Sequence, residues 1–246
     1  MGMATASELE AWNADLGDVS AETLVAWAAE RFGAGLVMSS SFGAHSAVML
    51  HLVSRVAPGT PVVFVDTGYL FPETYRFADA LRRRFDLDLR VVAPRTSTAM
   101  QEALHGERWE QGEEGVQAYL QTNKVEPMQR VLDELDATAW MAGLRAEQTA
   151  HRAGLRRVDV QDGRVKLHPI LHWSGDDVQA YLAMHDLPVH PLVAEGYRSI
   201  GDVHSTLPTT PDMDPRDGRI LGRKRECGLH LPMSPATAES LKSSGL

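Results

Sequence analysis

Cysteine is almost absent: the 246-residue chain has one, Cys227. That excludes an internal disulfide, a metal cage built from thiolates, and a second thiol of its own to resolve an adduct on the first. Long apolar runs are absent too, so no segment reads as a membrane span. Basic residues are in the minority, 24 Lys and Arg against 33 Asp and Glu. The formal charge of −9 argues against broad binding to nucleic acid or a membrane surface, and any anionic ligand needs a local basic site. Met1 to Thr5 show no signal-peptide pattern, and with a single cysteine this leads us to expect a reducing cytoplasm. No His-x-x-x-His with a third ligand stands out. His168, His172, His185 and His190 read as polar residues at strand and helix ends, so no bound metal is expected. Internal repeats and low-complexity blocks are also missing.

The remainder reads as an α/β protein. Ser7 to Trp12 and Ala21 to Phe32 have helical patterns, with Ser20 as a cap and Gly33 as a stop. Gly35 to Met38, Pro61 to Val65, Leu87 to Val92 and Ala137 to Met141 are short apolar runs suited to buried strands. Helical patterns separate them, and Thr98 to Leu135 is mostly helical. The alternation predicts a doubly wound, mostly parallel sheet flanked by helices. Arg157 to Ile170 predicts a hairpin turning at Asp162-Gly163, followed by a helix from a Ser174 cap to Met184. Arg82-Arg83-Arg84 reads as a solvated face.

Three strand exits carry candidate chemistry. The first strand runs into Ser39-Ser40-Ser41-Phe42-Gly43-Ala44-His45-Ser46 and then a helix. This geometry places backbone N–H groups around a phosphate, although it lacks the glycine patterns of the kinase-type and dinucleotide loops. The second strand ends in Asp66-Thr67-Gly68, where Asp66 and Thr67 suit either ligand contact or helix capping. The fourth leads to Gly143-Leu144-Arg145-Ala146-Glu147-Gln148, with Arg152 close behind. Arginine forks suit phosphate oxygens; structural ion pairs are the competing use. Lys124 reads as an ordinary surface lysine on its own. From Asp186 onward proline, glycine and threonine dominate, and Thr206 to Arg219 reads as a mobile loop. Arg216 and Arg219 at its end, with Arg223, Lys224 and Arg225 beyond it, crowd the run into Cys227, and His230 follows. A free cysteine is often a buried filler, but nearby cations stabilise the thiolate, so a reactive thiol is the favoured reading.

The segment Lys224-Arg225-Glu226-Cys227-Gly228-Leu229-His230 resembles the C-terminal signature of the phosphoadenylyl sulfate (PAPS) and adenylyl sulfate (APS) reductase family. Ser39 to Gly43, Asp66 to Thr74, Lys124 to Pro127, Gly143 to Gln148 and Gly196-Tyr197-Arg198-Ser199-Ile200-Gly201 match further blocks of that family, in order, across roughly residues 35 to 230. Ala146 stands where relatives often have a second arginine. The resemblance implies a fold related to the adenine-nucleotide alpha-hydrolases, the ATP pyrophosphatase fold. It implies an N-terminal helical segment at 1–32, a nucleotide-binding α/β domain at 33–205, and a tail at 206–246 that carries the catalytic cysteine and closes over bound nucleotide.

It also implies reduction of 3′-phosphoadenylyl sulfate to sulfite through an S-sulfonate on Cys227, with His230 assisting. The external reductant would be thioredoxin or glutaredoxin. Ser39, Ser40, Ser41, Phe42, Gly43, Asp66, Thr67, Gly68, Lys124, Gly143, Arg145, Gln148, Arg152, Tyr197, Arg216 and Arg219 would bind substrate. Relatives with an iron–sulfur cluster carry cysteines where this chain has Tyr119, Leu120, Asp202 and Ser205, so no cluster and no other bound cofactor is expected. A homodimer is left open. Two alternatives stay in view: a cluster-free APS reductase, and an adenylylating enzyme of the ATP-pyrophosphatase type. The second would want magnesium, and a Gly-Gly and Asp loop that Ser40, Ser41, Ala44 and His45 do not provide.

Overall fold

Three of the four apolar runs become the centre of one sheet because each is buried on both faces, and the fourth forms an edge. The computed structural model of the protein describes residues 4–210, 212–219 and 229. Strands β1 (Leu36–Ser39), β2 (Val62–Val65), β3 (Leu89–Val92) and β4 (Ala139–Ala142) are joined by β5 (Val158–Gln161) and β6 (Arg164–Leu167) in the order β3-β2-β1-β4-β6-β5. All neighbours pair parallel except β5 with β6, the hairpin. Its turn is the Asp162-Gly163 pair, with φ of +51° and +79°, the left-handed values a two-residue hairpin needs. Near-continuous burial of β1, β2 and β4 fits strands covered by helices on both sides. β3 lies at the sheet edge, and its middle residues are exposed.

The helices are α1 (Ala6–Leu16), α2 (Ala21–Phe32), α3 (Ala47–Val56), α4 (Pro72–Phe85), α5 (Thr98–His105), α6 (Gly112–Leu120), α7 (Glu126–Glu134), α8 (Ala150–Ala153) and α9 (Gly175–Met184). Ser20 caps α2 by accepting from the Thr23 N–H, and Ser174 caps α9 with a reciprocal Asp177 contact. Between α6 and α7 the chain takes a π-helical turn, Gln121–Val125. Such turns are rare and frequently mark functional sites. Arg82 and Arg83 pair with Asp79 on an exposed face of α4, as the solvated-face reading expects.

α1 and α2 share the core of the sheet. Leu16, Leu24, Val25 and Ala28 pack in one cluster with Leu36, Leu50, Met141 and Leu167. Arg157 fastens this layer. One guanidinium nitrogen donates to the carbonyls of Leu16, Gly17 and Val19 at 3.0, 3.2 and 2.6 Å, and the other to Pro169 at 2.8 Å. Burial holds its pKa below the usual arginine range. Arg157→Met is expected to strip four carbonyls of their donor and to cost about 2–4 kcal/mol of stability. Urea denaturation checks this, and nucleotide affinity should be unchanged in the folded fraction.

Candidate active site

The strand order reverses direction between β1 and β4, and in open α/β sheets the ligand crevice opens at the C-terminal ends of the strands at such a point. The serine-rich loop leaves β1 there. Ser39 is fixed by the Trp140 indole, which donates to its Oγ at 2.7 Å. The Ser40 Oγ accepts from the Phe42 N–H at 3.1 Å. Phe42 has φ +48°, a value few bulky residues adopt, and a fully buried ring packed edge-on against Phe64 at 4.9 Å. The ring therefore anchors the loop from inside, and only the Phe42 backbone can face a ligand. Among the described residues nothing accepts from the N–H groups of Ser41, Gly43, Ala44 or His45. With α3 beginning at Ala47, these donors are suited to an anion.

The loop after β4 closes over the same place. Gly143 is required there, since a Cβ would lie 2.9 Å from Met49 Cγ on α3. Arg145 and Arg152 are both buried. Arg145 pairs with Glu147, and Arg152 donates to the Gln148 side-chain carbonyl. That same carbonyl accepts from the Arg145 backbone N–H at 3.3 Å. Burial, together with the charge of Arg152, lowers the Arg145 pKa, and Glu147 opposes this. His45 lies close enough to feel Arg145: burial first, then that cation, lowers its pKa and keeps the ring neutral. Positive charge is thus gathered at the β1/β4 crevice of an acidic protein.

A second group forms at the end of β2. The Asp66 carboxylate accepts from the Gly68 N–H at 2.8 Å and from the Tyr75 hydroxyl at 2.6 Å. Neither Asp66 nor Thr67 caps α4, whose N-cap residue is Phe71, so the capping alternative is corrected. Thr67 is buried and donates to Asp202 at 2.7 Å. Lys124, expected to face substrate, has an internal partner: its ammonium lies 2.5 Å from the other Asp202 oxygen. Burial alone would raise the Asp202 pKa, but Lys124, Thr67 and Arg219 outweigh it, and the carboxyl is held below its usual range. Losing one member of such a pair strands a buried charge, at a cost of about 3–5 kcal/mol.

The chain after Asp202 stays close. Val203 donates to the Tyr69 carbonyl, and Thr206 forms a bridge with Arg219. The segment expected to be a mobile loop is therefore tied at both ends. Arg219 donates to the Ile200 carbonyl at 3.1 Å and occupies the space a side chain at Gly201 would need. Ile200 itself packs with Ala44, which sets the acceptor of Arg219 beside the serine loop. Tyr197 packs edge-on against Phe71 at 5.5 Å, in a cluster with Ala44 and Ile200. Arg216 is half-buried, and its backbone N–H donates to Asp214 at 2.7 Å. Cys227 and His230, with Arg223, Lys224 and Arg225, lie outside the described residues. Leu229 is described: its carbonyl accepts from Gln161 at 2.9 Å, at the hairpin end of the sheet opposite the crevice.

Sequence reasoning missed a packed group of rings. His204 stacks on Trp109 at 4.0 Å and meets Tyr119 and Tyr69 edge-on at 5.0 and 5.3 Å. Burial lowers the His204 pKa to about 4, so the ring is neutral. Tyr119 and Asp202, two of the positions that resemble cluster ligands, do converge in space, and aromatic rings and an ion pair fill the place. Among the described residues no group of three or more His, Cys, Asp or Glu is arranged to hold a metal. No described helix is long and apolar enough to cross a membrane.

Comparison with known proteins decides the family. The profile described as phosphoadenosine phosphosulfate reductase domain matches residues 35–208. The chain belongs to the phosphoadenosine phosphosulfate reductase family. A phosphoadenosine 5′-phosphosulfate reductase of Synechocystis sp. is 50% identical over 244 residues, covering 98% of each chain. One from Thiocapsa roseopersicina is 54% identical over 218 residues, covering 89% of this chain and 91% of its own. Among solved structures, the PAPS reductase of Candida auris in a phosphate complex aligns with a TM-score of 0.74 at 28% identity, covering 84% of this chain and all of that one. An FMN adenylyltransferase of Candida glabrata, at 17% identity and a TM-score of 0.55, shares the fold. The expected sheet and its kinship with nucleotide alpha-hydrolases are therefore borne out, and this reductase-family chain is an oxidoreductase acting on sulfur.

Proposed function

We propose that the protein reduces 3′-phosphoadenylyl sulfate to sulfite and adenosine 3′,5′-bisphosphate in sulfate assimilation. One observation carries the reading. In a chain that matches the reductase family over most of its length, the serine loop and two buried arginines converge at the sheet's switch point. That arrangement suits a nucleotide bearing more than one phosphate. The Cys227 thiolate attacks the sulfonate sulfur, the sulfur–oxygen bond to the phosphate breaks, and its electron pair leaves on the bisphosphate. Arg219, Arg216 and Lys124 offset the charge that develops on the leaving oxygens, and His230 assists beside the thiol.

Cys227 is left as S-sulfocysteine. An external dithiol, thioredoxin or glutaredoxin, attacks its Sγ and expels sulfite. The partner's second thiol then frees Cys227, and the partner departs as a disulfide. Two electrons pass from the dithiol to the sulfonate sulfur, so no iron–sulfur cluster or other bound cofactor is needed. Leu229, two residues beyond Cys227, sits against Gln161 at the opposite end of the sheet. This reading has the tail close over bound nucleotide so that Cys227 meets the sulfonate.

The experiment is sulfite release from 3′-phosphoadenylyl sulfate with reduced thioredoxin. Multiple turnovers that stop when thioredoxin is omitted support the reading. Release of pyrophosphate from ATP with magnesium, without sulfite formation, would replace it with an adenylylating enzyme.

A further inference from the structure

Asp202 has a place in this reaction that its sequence position does not announce. Three segments distant in the chain meet at its carboxylate: the π-helical turn through Lys124, the end of β2 through Thr67, and its own loop, where Arg219 acts on it electrostatically. Asp202 is wholly buried, and Lys124 nearly so. A buried ion pair is a poor source of stability, because desolvation cancels much of its attraction. It is a good source of geometry. The lysine ammonium is a point charge on a flexible four-carbon stem, with three donors to place. Held by one Asp202 oxygen, the ammonium has two donors still to direct. Thr67 holds the other oxygen, so the carboxylate cannot rotate away.

The charge balance is also informative. Two cations, Lys124 and Arg219, stand here with two carboxylates, Asp202 and, across the Tyr75 hydroxyl, Asp66, so the group is close to neutral before an anion binds. Arg219 is held by the carbonyl of Ile200, and Ile200 packs with Ala44 of the serine loop, so this group borders the strand-end crevice.

We propose that Asp202 is a positioning residue for sulfonate transfer, fixing the Lys124 ammonium where the phosphosulfate oxygens must lie. The inference rests on the reductase reading and deepens it. The bisphosphate itself is gripped at the β1/β4 crevice by Arg145, Arg152 and the serine loop, so Asp202 governs turnover and not nucleotide capture.

The test is Asp202→Asn, which keeps the size and removes the charge. With saturating thioredoxin, kcat should fall about 10²-fold, the scale of a misplaced catalytic group. The affinity for adenosine 3′,5′-bisphosphate, by calorimetry, should stay within about threefold. Lys124→Met should also lower kcat, and adding D202N to it should cost nothing more, because the two act as a unit. If D202N does not fold, Thr67→Val loosens the same carboxylate and should lower kcat by about tenfold. A kcat within about threefold of wild type in D202N, or in T67V if that is the variant that folds, would overturn the inference. So would a parallel loss of kcat and bisphosphate affinity, or multiplicative effects in the double variant, since each is what a purely structural residue gives. A wild-type protein that releases no sulfite would overturn the reductase reading and this inference with it. An active wild type with an equally active D202N overturns the inference alone.

Discussion

Cys227→Ser is expected to lower sulfite release by about 10⁴-fold or more, the scale on which loss of a covalent nucleophile acts. A serine hydroxyl is barely ionised near neutral pH and is a poor nucleophile toward sulfur. No other thiol exists in the chain, since Cys227 is the only cysteine. Binding should survive. Most of the groups proposed to hold the nucleotide belong to the β1, β2 and β4 strand ends, which are built without Cys227. The variant should therefore bind adenosine 3′,5′-bisphosphate within about twofold of wild type, and pairing the two measurements separates lost chemistry from lost folding. Substantial residual turnover in the serine variant would place the nucleophile elsewhere.

The second large effect concerns the 3′-phosphate. Catalytic efficiency on 3′-phosphoadenylyl sulfate should exceed that on adenylyl sulfate by about 10³-fold or more. The reason is the number of cations. Arg145 and Arg152 are buried at the β1/β4 crevice, and Lys124 and Arg219 lie at the end of β2, more than one phosphosulfate can occupy. A nucleotide lacking the extra phosphate forgoes its charge-assisted contacts with these cations, and in a buried site that loss is larger than the loss of an equivalent contact in water. Competitive assays with both nucleotides measure the ratio. Equal efficiencies would favour a cluster-free adenylyl sulfate reductase on the same scaffold.

The features legible in the sequence are those set by local chemistry. β1 and the serine loop could be read because a short apolar run, small polar residues and a helical pattern follow one another within about fifteen residues. The hairpin could be read because Asp162-Gly163 is a turn in itself. What escaped depends on contacts between distant segments. Lys124 looked like a solvated lysine because its partner lies 78 residues away, and neither residue's neighbours signal the pairing. Thr67 fell between two readings, and the structure gives a third: its hydroxyl points inward to Asp202. Phe42 matched a family block, but its buried ring and positive φ needed coordinates. The stack of His204 on Trp109 was hidden for the same reason: one aromatic and one histidine, 95 positions apart, carry no joint pattern in the sequence.

The most direct test of the account is one turnover without a reductant for the second half. Reduced protein mixed with excess 3′-phosphoadenylyl sulfate, with no thioredoxin present, should release one equivalent of adenosine 3′,5′-bisphosphate per chain and almost no sulfite. Intact-mass analysis should then show one added sulfonate group, and fragmentation should place it on Cys227. Reduced thioredoxin should remove the group and release an equal amount of sulfite. Repeated sulfite release with no added thiol, or a sulfonate on any residue other than Cys227, would contradict the account.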